Sequence, residues 1–258
     1  MRIVATLIAT LAIFPMSLLS AAEIVPHEAT YASTLEKYHG PGELQSWEGT
    51  TRYSISRDCQ KWKIVTRMIF NFTINGTESQ IKATSRTYEA LDGNRMEFDT
   101  LTQLNGDVIN HKKGVAKLQG AGKPGVVTYR EPQGETLDLP AGTAFTIAST
   151  LGSIDQLGAG KKQWKQLMFS DGEFANYTYN VRKRGVVPSV NPSGDANLIS
   201  QAGWLLETKM FSQGPAGNIQ VTALAHANGV TSLATQNNEM FTTREELIDI
   251  RALPTPHC

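Results

Sequence analysis

The sequence predicts an all-β protein built on a mostly antiparallel sheet. Two observations support this fold class: apolar and polar residues alternate with a period of two along several segments, and Asn-Gly or Asp-Gly pairs separate those segments. Successive side chains of a strand point to opposite faces, so this alternation is typical of half-buried strands. The regular succession of strands and helices that builds a parallel α/β sheet is missing from the sequence.

The clearest predicted strand begins at Trp62. One of its faces is mostly apolar, and the other carries basic and mixed side chains. The segments Met96–Leu101 and Asn176–Val181 alternate in the same manner. The apolar face of the first strand consists of Trp62, Ile64, Thr66, Met68, Phe70 and Phe72.

Five dipeptides predict the turns between these strands. Asn-Gly and Asp-Gly accept the positive φ angles of a type I′ turn, whose twist matches that of the flanking strands. We therefore expect a meander of hairpins. The five dipeptides are Asn75-Gly76, Asp92-Gly93, Asn105-Gly106, Asp171-Gly172 and Asn228-Gly229.

One segment breaks the alternation and predicts a helix near residues 143–157. Its apolar residues, which include Phe145, Ala148 and Leu151, recur every three positions, and Gly158 follows the segment. Thr143 is a candidate N-cap. A long antiparallel sheet with a single helix indicates a barrel-like shape whose end or lumen the helix covers.

Composition excludes two classes of protein. The chain has 258 residues, with 24 basic and 24 acidic side chains, so its formal net charge is zero. This balance provides no electrostatic footprint for nucleic acid. The 40% hydrophobic content is too high for a disordered chain. We expect a folded protein with no nucleic-acid partner.

The first 22 residues have the pattern of a secretory signal peptide. Arg2 precedes an apolar run from Ile3 to Leu19, and Ser20-Ala21-Ala22 provides small residues at a cleavage site. The alternative is a membrane anchor, but this run is short for a spanning helix and contains Pro15. We expect residues 1–22 to be removed, which leaves residues 23–258 as a single exported domain that does not span a membrane.

Export changes the interpretation of the two cysteines, Cys59 and Cys258. In an oxidising compartment an even pair of cysteines is usually bonded. Closing so long a loop would stabilise the fold by roughly 5 kcal/mol in the chain-entropy treatment. The alternative is two free thiols. Neither cysteine lies in a Cys-x-x-Cys motif, so we predict a structural disulfide and no redox catalysis.

No motif identifies a catalytic, cofactor or metal site. Gly120, Gly122 and Gly125 match G-x-G-x-x-G, but the strand-like segment Val126–Tyr129 follows them where a dinucleotide site requires a helix. The histidines lack metal-binding spacing, and we interpret each as a surface or hydrogen-bonded residue. A Ser-His-Asp triad whose members come together only in the folded chain is the remaining catalytic alternative. The histidines are His27, His39, His111, His226 and His257.

Two charged clusters have plain structural interpretations. Arg182–Arg184 is predicted to be a solvated strand end, with a lipid-headgroup site as the alternative. The run Thr242–Asp249 is predicted to be a solvated edge.

An ordered set of short segments across residues 25–258 resembles the EipB-like cell-envelope integrity proteins, a periplasmic family of alphaproteobacteria. The segments are Val25–Tyr31, Cys59 with Trp62 and Arg67, Tyr88–Gly93, Leu139–Phe145, Phe169–Gly172, Asn228–Val230, and Leu253-Pro254 with Cys258. The resemblance implies a strongly twisted antiparallel open barrel, or β-spiral, with a helix near one end. It also implies a Cys59–Cys258 disulfide, a periplasmic location, a role in envelope integrity and no assigned enzymatic activity.

Three functional hypotheses follow. The first is a non-enzymatic periplasmic protein that supports envelope integrity by binding another envelope component, most simply a protein. The second is a carrier of a lipid or lipoprotein acyl chain, which the apolar face from Trp62 to Phe72 could line as a hydrophobic ligand site. The third is an envelope hydrolase, which requires a cleft where a histidine meets a serine or a carboxylate.

Overall fold

The computed structural model describes residues 23–212, 218–238, 240–256 and 258, so the predicted signal peptide lies outside the described residues. The first eight strands are β1 (His27–Tyr38), β2 (Leu44–Arg57), β3 (Lys61–Ile74), β4 (Thr77–Ala90), β5 (Arg95–Leu104), β6 (Asp107–Leu118), β7 (Gly125–Glu131) and β8 (Thr136–Leu139).

The second half of the chain contains the single α-helix of the described residues. Its elements are β9 (Thr143–Ala144), α1 (Thr146–Gly158), β10 (Gln163–Ser170), β11 (Glu173–Val186), β12 (Ser193–Gly194), a 3₁₀-helix (Ala196–Ile199), β13 (Gly203–Ser212), β14 (Asn218–Ala225), β15 (Thr231–Asn237) and β16 (Phe241–Ala252).

All the described strands belong to one sheet. Its main path runs β8-β7-β6-β5-β4-β3-β2-β1-β16-β15-β14-β13-β11-β10-β9, and β12 pairs with β16 beside that path. The neighbours on the path are antiparallel, except for β9 and β10. The end strands β8 and β9 are joined by Pro140–Gly142, yet no ladder links them within the described residues. The sheet is therefore an open barrel, and the predicted all-β antiparallel fold with one helix is confirmed.

Strand β10 and the turn after it pack against β5 and β7, which lie near the other end of the sheet. The ring of Phe169 in β10 lies 5.4 Å from that of Phe98 in β5, measured between ring centroids. The Tyr129 hydroxyl of β7 donates a hydrogen bond to the Gly172 carbonyl at 3.0 Å. These contacts belong to a buried cluster of Met96, Phe98, Ala116, Val127, Tyr129, Leu139, Phe145 and Phe169.

Three of the five predicted dipeptides form two-residue hairpin turns. Asn75-Gly76, Asn105-Gly106 and Asp171-Gly172 have positive φ at both positions, as a type I′ turn requires. The other two sites form longer loops in which only Gly93 and Gly229 have positive φ. In these loops an aspartate or asparagine side chain takes the place of a ladder bond, since it accepts a hydrogen bond from the backbone N–H two residues later.

The helix begins at Thr146, three residues later than predicted, and the predicted N-cap is wrong. Thr143 belongs to β9, and its hydroxyl donates to the Pro140 carbonyl at 2.7 Å. Ile147 of α1 is buried against β2 and β3. The helix thus lies across the inside of the barrel, as predicted. The cluster it joins consists of Ile24, Ile55, Trp62, Ile64 and Ile147, with Tyr53, Leu151 and Ile154 partly buried beside it.

The charged run Thr242–Asp249 is not the predicted solvated edge. It forms the middle of β16, which pairs with β1 on one side and β15 on the other. Thr243 and Leu247 are buried, and Glu245 lines an internal cavity, whereas the Glu246 side chain is 44% exposed. The prediction failed because this inner face accepts polar side chains, so polarity alone does not distinguish the two faces of the strand.

Candidate functional site

Glu89, at the end of β4, is a buried carboxylate that caps α1. Its Oε2 accepts a hydrogen bond from the Ile147 N–H at 2.8 Å, and its Oε1 accepts one from the Ala148 N–H at 2.9 Å. The N-cap residue of the helix, Phe145, supplies no side-chain acceptor. A carboxylate fits this position because the first N–H groups of a helix lack partners within it. Burial, opposed by these two bonds, raises the pKa of Glu89 to about 7.

The edge of β10 that faces away from β11 is largely unpaired. Its only described neighbour on that side is β9, which is two residues long and pairs with Leu167 and Met168 alone. Within the described part of the chain, no strand pairs with Gln163–Gln166 on this side. Such an edge can accept a further strand.

The ladder on the other side of β10 shows which backbone groups point to the open edge. The Lys162 carbonyl accepts a hydrogen bond from the Val181 N–H at 2.8 Å, and β11 then pairs along the whole of β10. Because bonding directions alternate along an antiparallel strand, the N–H and C=O groups of Gln163 and Lys165 point away from β11. They face the open edge.

A groove of about 640 Å³ runs beside this edge, and we call it the edge groove. Gly152 and Gln156 of α1 form part of one wall, and residues of β10, β11 and β13 form the other. Two lysines, Lys161 and Lys165, also line it, and neither makes an ion pair with another described residue. The edge groove therefore combines unpaired backbone groups with positive charge.

The indole of Trp164 also lines the edge groove. It stacks on the ring of Tyr179, with the centroids 4.9 Å apart and the planes 12° apart. Its Nε1 atom is buried and has no hydrogen-bond partner among the described residues. A buried donor left unpaired costs about 1–3 kcal/mol.

The two cysteines lie together in the structure. Cys59 lies in the turn between β2 and β3, and its Cα atom is 5.6 Å from that of Cys258, with the sulfur atoms at bonding distance. A disulfide requires this separation. The Leu253 N–H donates to the Pro26 carbonyl at 2.8 Å, so the C-terminal segment runs back past the start of β1 toward Cys59.

One histidine contacts a serine, but the serine is fully buried. His226 Nε2 lies 2.9 Å from Ser232 Oγ, and its Nδ1 lies 3.1 Å from the Gln201 carbonyl oxygen. The carbonyl can only accept, so Nδ1 carries the proton and the serine hydroxyl donates to Nε2. Burial lowers the pKa of His226. Ser232 has no exposed surface, and no substrate can reach its hydroxyl. The pair fits the predicted hydrogen-bonded role and does not support the hydrolase hypothesis.

The other histidines do not assemble a site. His27 Nδ1 lies 2.7 Å from the Val25 carbonyl, and His111 Nε2 lies 3.0 Å from the Asp99 carboxylate in an exposed pair. His257 lies outside the described residues. Within the described ranges no group of three or more His, Cys, Asp or Glu side chains could hold a metal ion. The Gly120–Gly125 motif leads directly into β7.

The predicted solvated strand end is confirmed: Arg182, Lys183 and Arg184 are all exposed near the end of β11. The Arg184 guanidinium donates to the carbonyls of Leu157, at 3.0 Å, and Lys161, at 2.8 Å. It therefore satisfies carbonyl groups at the C-terminal end of α1, where a positive charge is favourable. Arg182 forms an ion pair with Glu207.

Other side chains of the protein pack against both ends of the apolar row from Trp62 to Phe72. Its first two residues pack against Ile147 of α1. Its last two aromatic rings lie 5.2 and 5.8 Å from that of Trp47, measured between centroids. This packing does not favour the hypothesis of an acyl-chain carrier.

Comparison with known proteins identifies the family. The model of the EipB-like family matches residues 18–254, which is nearly the whole chain. The chain belongs to the EipB-like family. The resemblance predicted from the sequence is thus confirmed. A comparison with curated proteins finds no match.

A solved structure shares the fold of this EipB-like chain. It is a β-barrel-like protein with a domain of unknown function from Brucella abortus, 22% identical, with a TM-score of 0.82. The match covers 91% of this chain and 100% of that one. EipB-like membership and the barrel fit a periplasmic protein associated with the cell envelope. Among the described residues, no helix has the length and apolar character needed to cross a membrane.

Sequence reasoning missed the residues that define these features. It assigned no role to Glu89, Trp164 or Lys165, and it placed Glu245 on a solvated edge. One pattern in the sequence could have indicated the role of Glu89. The period of two in β4 places Glu89 on the same face as Thr87, so the strand could have been predicted to carry an inward carboxylate. Nothing in the sequence signals the open edge of β10.

Proposed function

We propose that this protein is a non-enzymatic periplasmic protein that supports cell-envelope integrity by binding an extended, acidic segment of another envelope protein. It acts as a single domain, residues 23–258, after removal of residues 1–22, and a Cys59–Cys258 disulfide holds the domain together. The observation that carries the proposal is the unpaired edge at Gln163–Gln166, with the edge groove beside it.

An extended peptide is the ligand that this edge selects. Main-chain hydrogen bonds to an exposed strand edge provide affinity, and pockets beside the edge select alternate side chains of the peptide. The N–H and C=O groups of Gln163 and Lys165 supply the hydrogen bonds. Trp164, which lines the edge groove, adds an aromatic surface against which a side chain of the peptide can pack.

The charge of the edge groove favours acidic side chains on the peptide. Lys161 and Lys165 both line it, and no carboxylate is among the residues that line it. Opposite charges across an interface raise the rate of association and determine the register of binding.

We expect the edge groove to be required for the role of the protein in the envelope. A strain that lacks the gene should lose tolerance to detergents and wall-directed antibiotics, and the wild-type gene should restore it. A Lys161→Glu, Lys165→Glu double variant should fail to restore tolerance. The partner segment, mapped by photo-cross-linking from position 165 and synthesised as a peptide, should bind this variant about tenfold or more weakly, because two favourable charge contacts become repulsive.

A Lys63→Glu, Lys82→Glu double variant is the matched control. It carries the same change of charge on exposed positions of β3 and β4, away from the edge groove. We expect it to restore tolerance and to bind the peptide normally. Unchanged tolerance in the deletion strain would contradict the envelope role, and full activity of the groove variant would contradict the binding site.

A further inference from the structure

A second cavity, of about 360 Å³, lies inside the barrel between α1 and strands of the sheet, namely β1, β2, β13, β14, β15 and β16. We call it the inner cavity. The edge groove and the inner cavity share α1 and β13 among their walls, but no lining residue is common to both. The residues that line the inner cavity include Tyr31, Thr51, Tyr53, Ile154, Leu157 and Glu245.

Thr51 presents an unpaired hydroxyl to the inner cavity. The residue is only 8% exposed, and its Oγ1 atom is buried with no hydrogen-bond partner among the described residues. It lies directly opposite Tyr31 in the ladder between β2 and β1, and the Tyr31 hydroxyl is already committed to the Thr231 carbonyl at 2.9 Å. A buried hydroxyl without a partner is unfavourable, so the site is set to receive a polar atom.

Glu245 adds a carboxyl group to the same cavity, and burial raises its pKa, so a bound cation would favour its charged form. Glu245 lies opposite Ser33 in the ladder between β16 and β1, and its carboxylate makes no hydrogen bond or ion pair within the described part of the chain. The other titratable groups that line the cavity are His27, Tyr31, Tyr53 and His226. Burial lowers the pKa of both histidines, which disfavours their positively charged form, and raises the pKa of both tyrosines, which favours their neutral form. None of these four groups therefore supplies a positive charge to balance the Glu245 carboxylate.

The rest of the lining suits an aliphatic cation. Tyr31 and Tyr53 both line the cavity, Tyr31 close to the Glu245 carboxylate, and the faces of aromatic rings attract positive charge. Ile154 and Leu157 of α1 provide an apolar surface for a carbon chain. The volume is at the low end of the range for ligand pockets, which restricts the ligand to a small molecule.

We propose that the inner cavity binds a small aliphatic ammonium ion, which donates hydrogen bonds to the Glu245 carboxylate and the Thr51 hydroxyl while its carbon chain packs on α1. An ammonium group carries three N–H donors and one positive charge. It therefore satisfies both unpaired groups at once. A neutral alcohol of the same length would leave the carboxylate unbalanced.

The test is a titration of the full exported chain with n-butylammonium chloride at about pH 8, where an aliphatic amine is still protonated. Saturation-transfer NMR should detect binding of n-butylammonium and not of n-butanol. Glu245→Gln should weaken binding about tenfold or more, since it removes a charge-assisted hydrogen bond. Thr51→Val, which keeps the shape and removes the hydroxyl, should weaken it by a smaller factor.

Glu246→Gln is the matched control, because Glu246 is the neighbouring carboxylate on the exposed face of β16. This variant should bind n-butylammonium as the wild type does. If Thr51→Val fails to fold, Glu245→Gln alone decides the result. Equal binding of n-butanol, unchanged binding by Glu245→Gln, or occupation of the cavity by water only would overturn the proposal. Binding of an ethanolamine lysolipid in micelles with none of the free ion would also overturn it.

Discussion

Replacing Cys258 by serine should lower the free energy of unfolding by about 3–5 kcal/mol. The proposed bond to Cys59 closes a loop with a sequence separation of 199 residues, and a bond across a long loop removes much of the entropy of the unfolded chain. The same bond holds the segment after β16 against the turn between β2 and β3. Urea unfolding followed by tryptophan fluorescence measures the change as a shift in midpoint.

Three comparisons isolate the contribution of the bond. Cys59→Ser should match Cys258→Ser, and the double variant should lose no more stability than either single one. Wild-type protein with a reducing agent should converge on the variants, which should not respond to that agent. Single variants that unfold at the wild-type urea concentration would show that the bond contributes nothing to stability.

The contribution of Glu89 to the free energy of unfolding should depend strongly on pH. Its pKa is about 7 in the folded protein against an ordinary value of 4.5, so between these values the folded state binds more protons than the unfolded state. The stability due to this group is therefore fully present below about pH 4.5 and is lost as the pH rises through about 7. Relative to a Glu89→Gln variant, the wild type should lose about 3 kcal/mol over this range. Urea midpoints measured from about pH 5 to 8 test this.

A surface glutamate provides the control for that experiment. Glu97 is half exposed, and its hydrogen bond to Arg95 lowers its pKa. Glu97→Gln should therefore produce only a small change, of opposite sign. Parallel pH profiles for the wild type and Glu89→Gln would mean that Glu89 is ionised at neutral pH and that the two hydrogen bonds to α1 outweigh its burial.

Local patterns predicted most of the sheet, because they depend on neighbouring residues. The Asn75-Gly76 turn and the alternation after Trp62 arise within a few positions of the chain, and the structure contains both. The start of α1 could not be predicted in this way. Its cap, Glu89, lies 58 residues before Ile147, the first residue it caps. Only the closed fold brings the two together.

The candidate site was beyond prediction for a related reason. The edge groove exists because β9 ends after two residues, and nothing in Thr143 or Ala144 limits that strand. The inner cavity could not be predicted from the sequence because several of its lining residues are polar. Thr51 and Glu245 occupy inward positions, where the usual rule of apolar inside and polar outside expects Val or Leu. An interior lined partly by polar side chains does not follow that rule.

The order of the strands has a consequence for how the chain folds. Strands β2 to β8 are consecutive hairpin neighbours, so each can pair as soon as it has been made. The first strand lies between β2 and β16, and His27 pairs with Ala252 near the end of the chain. Such distant pairing slows folding. During folding one side of β1 therefore stays without its partner until β16 has reached it, and in that interval the partly formed sheet has an open edge prone to aggregation.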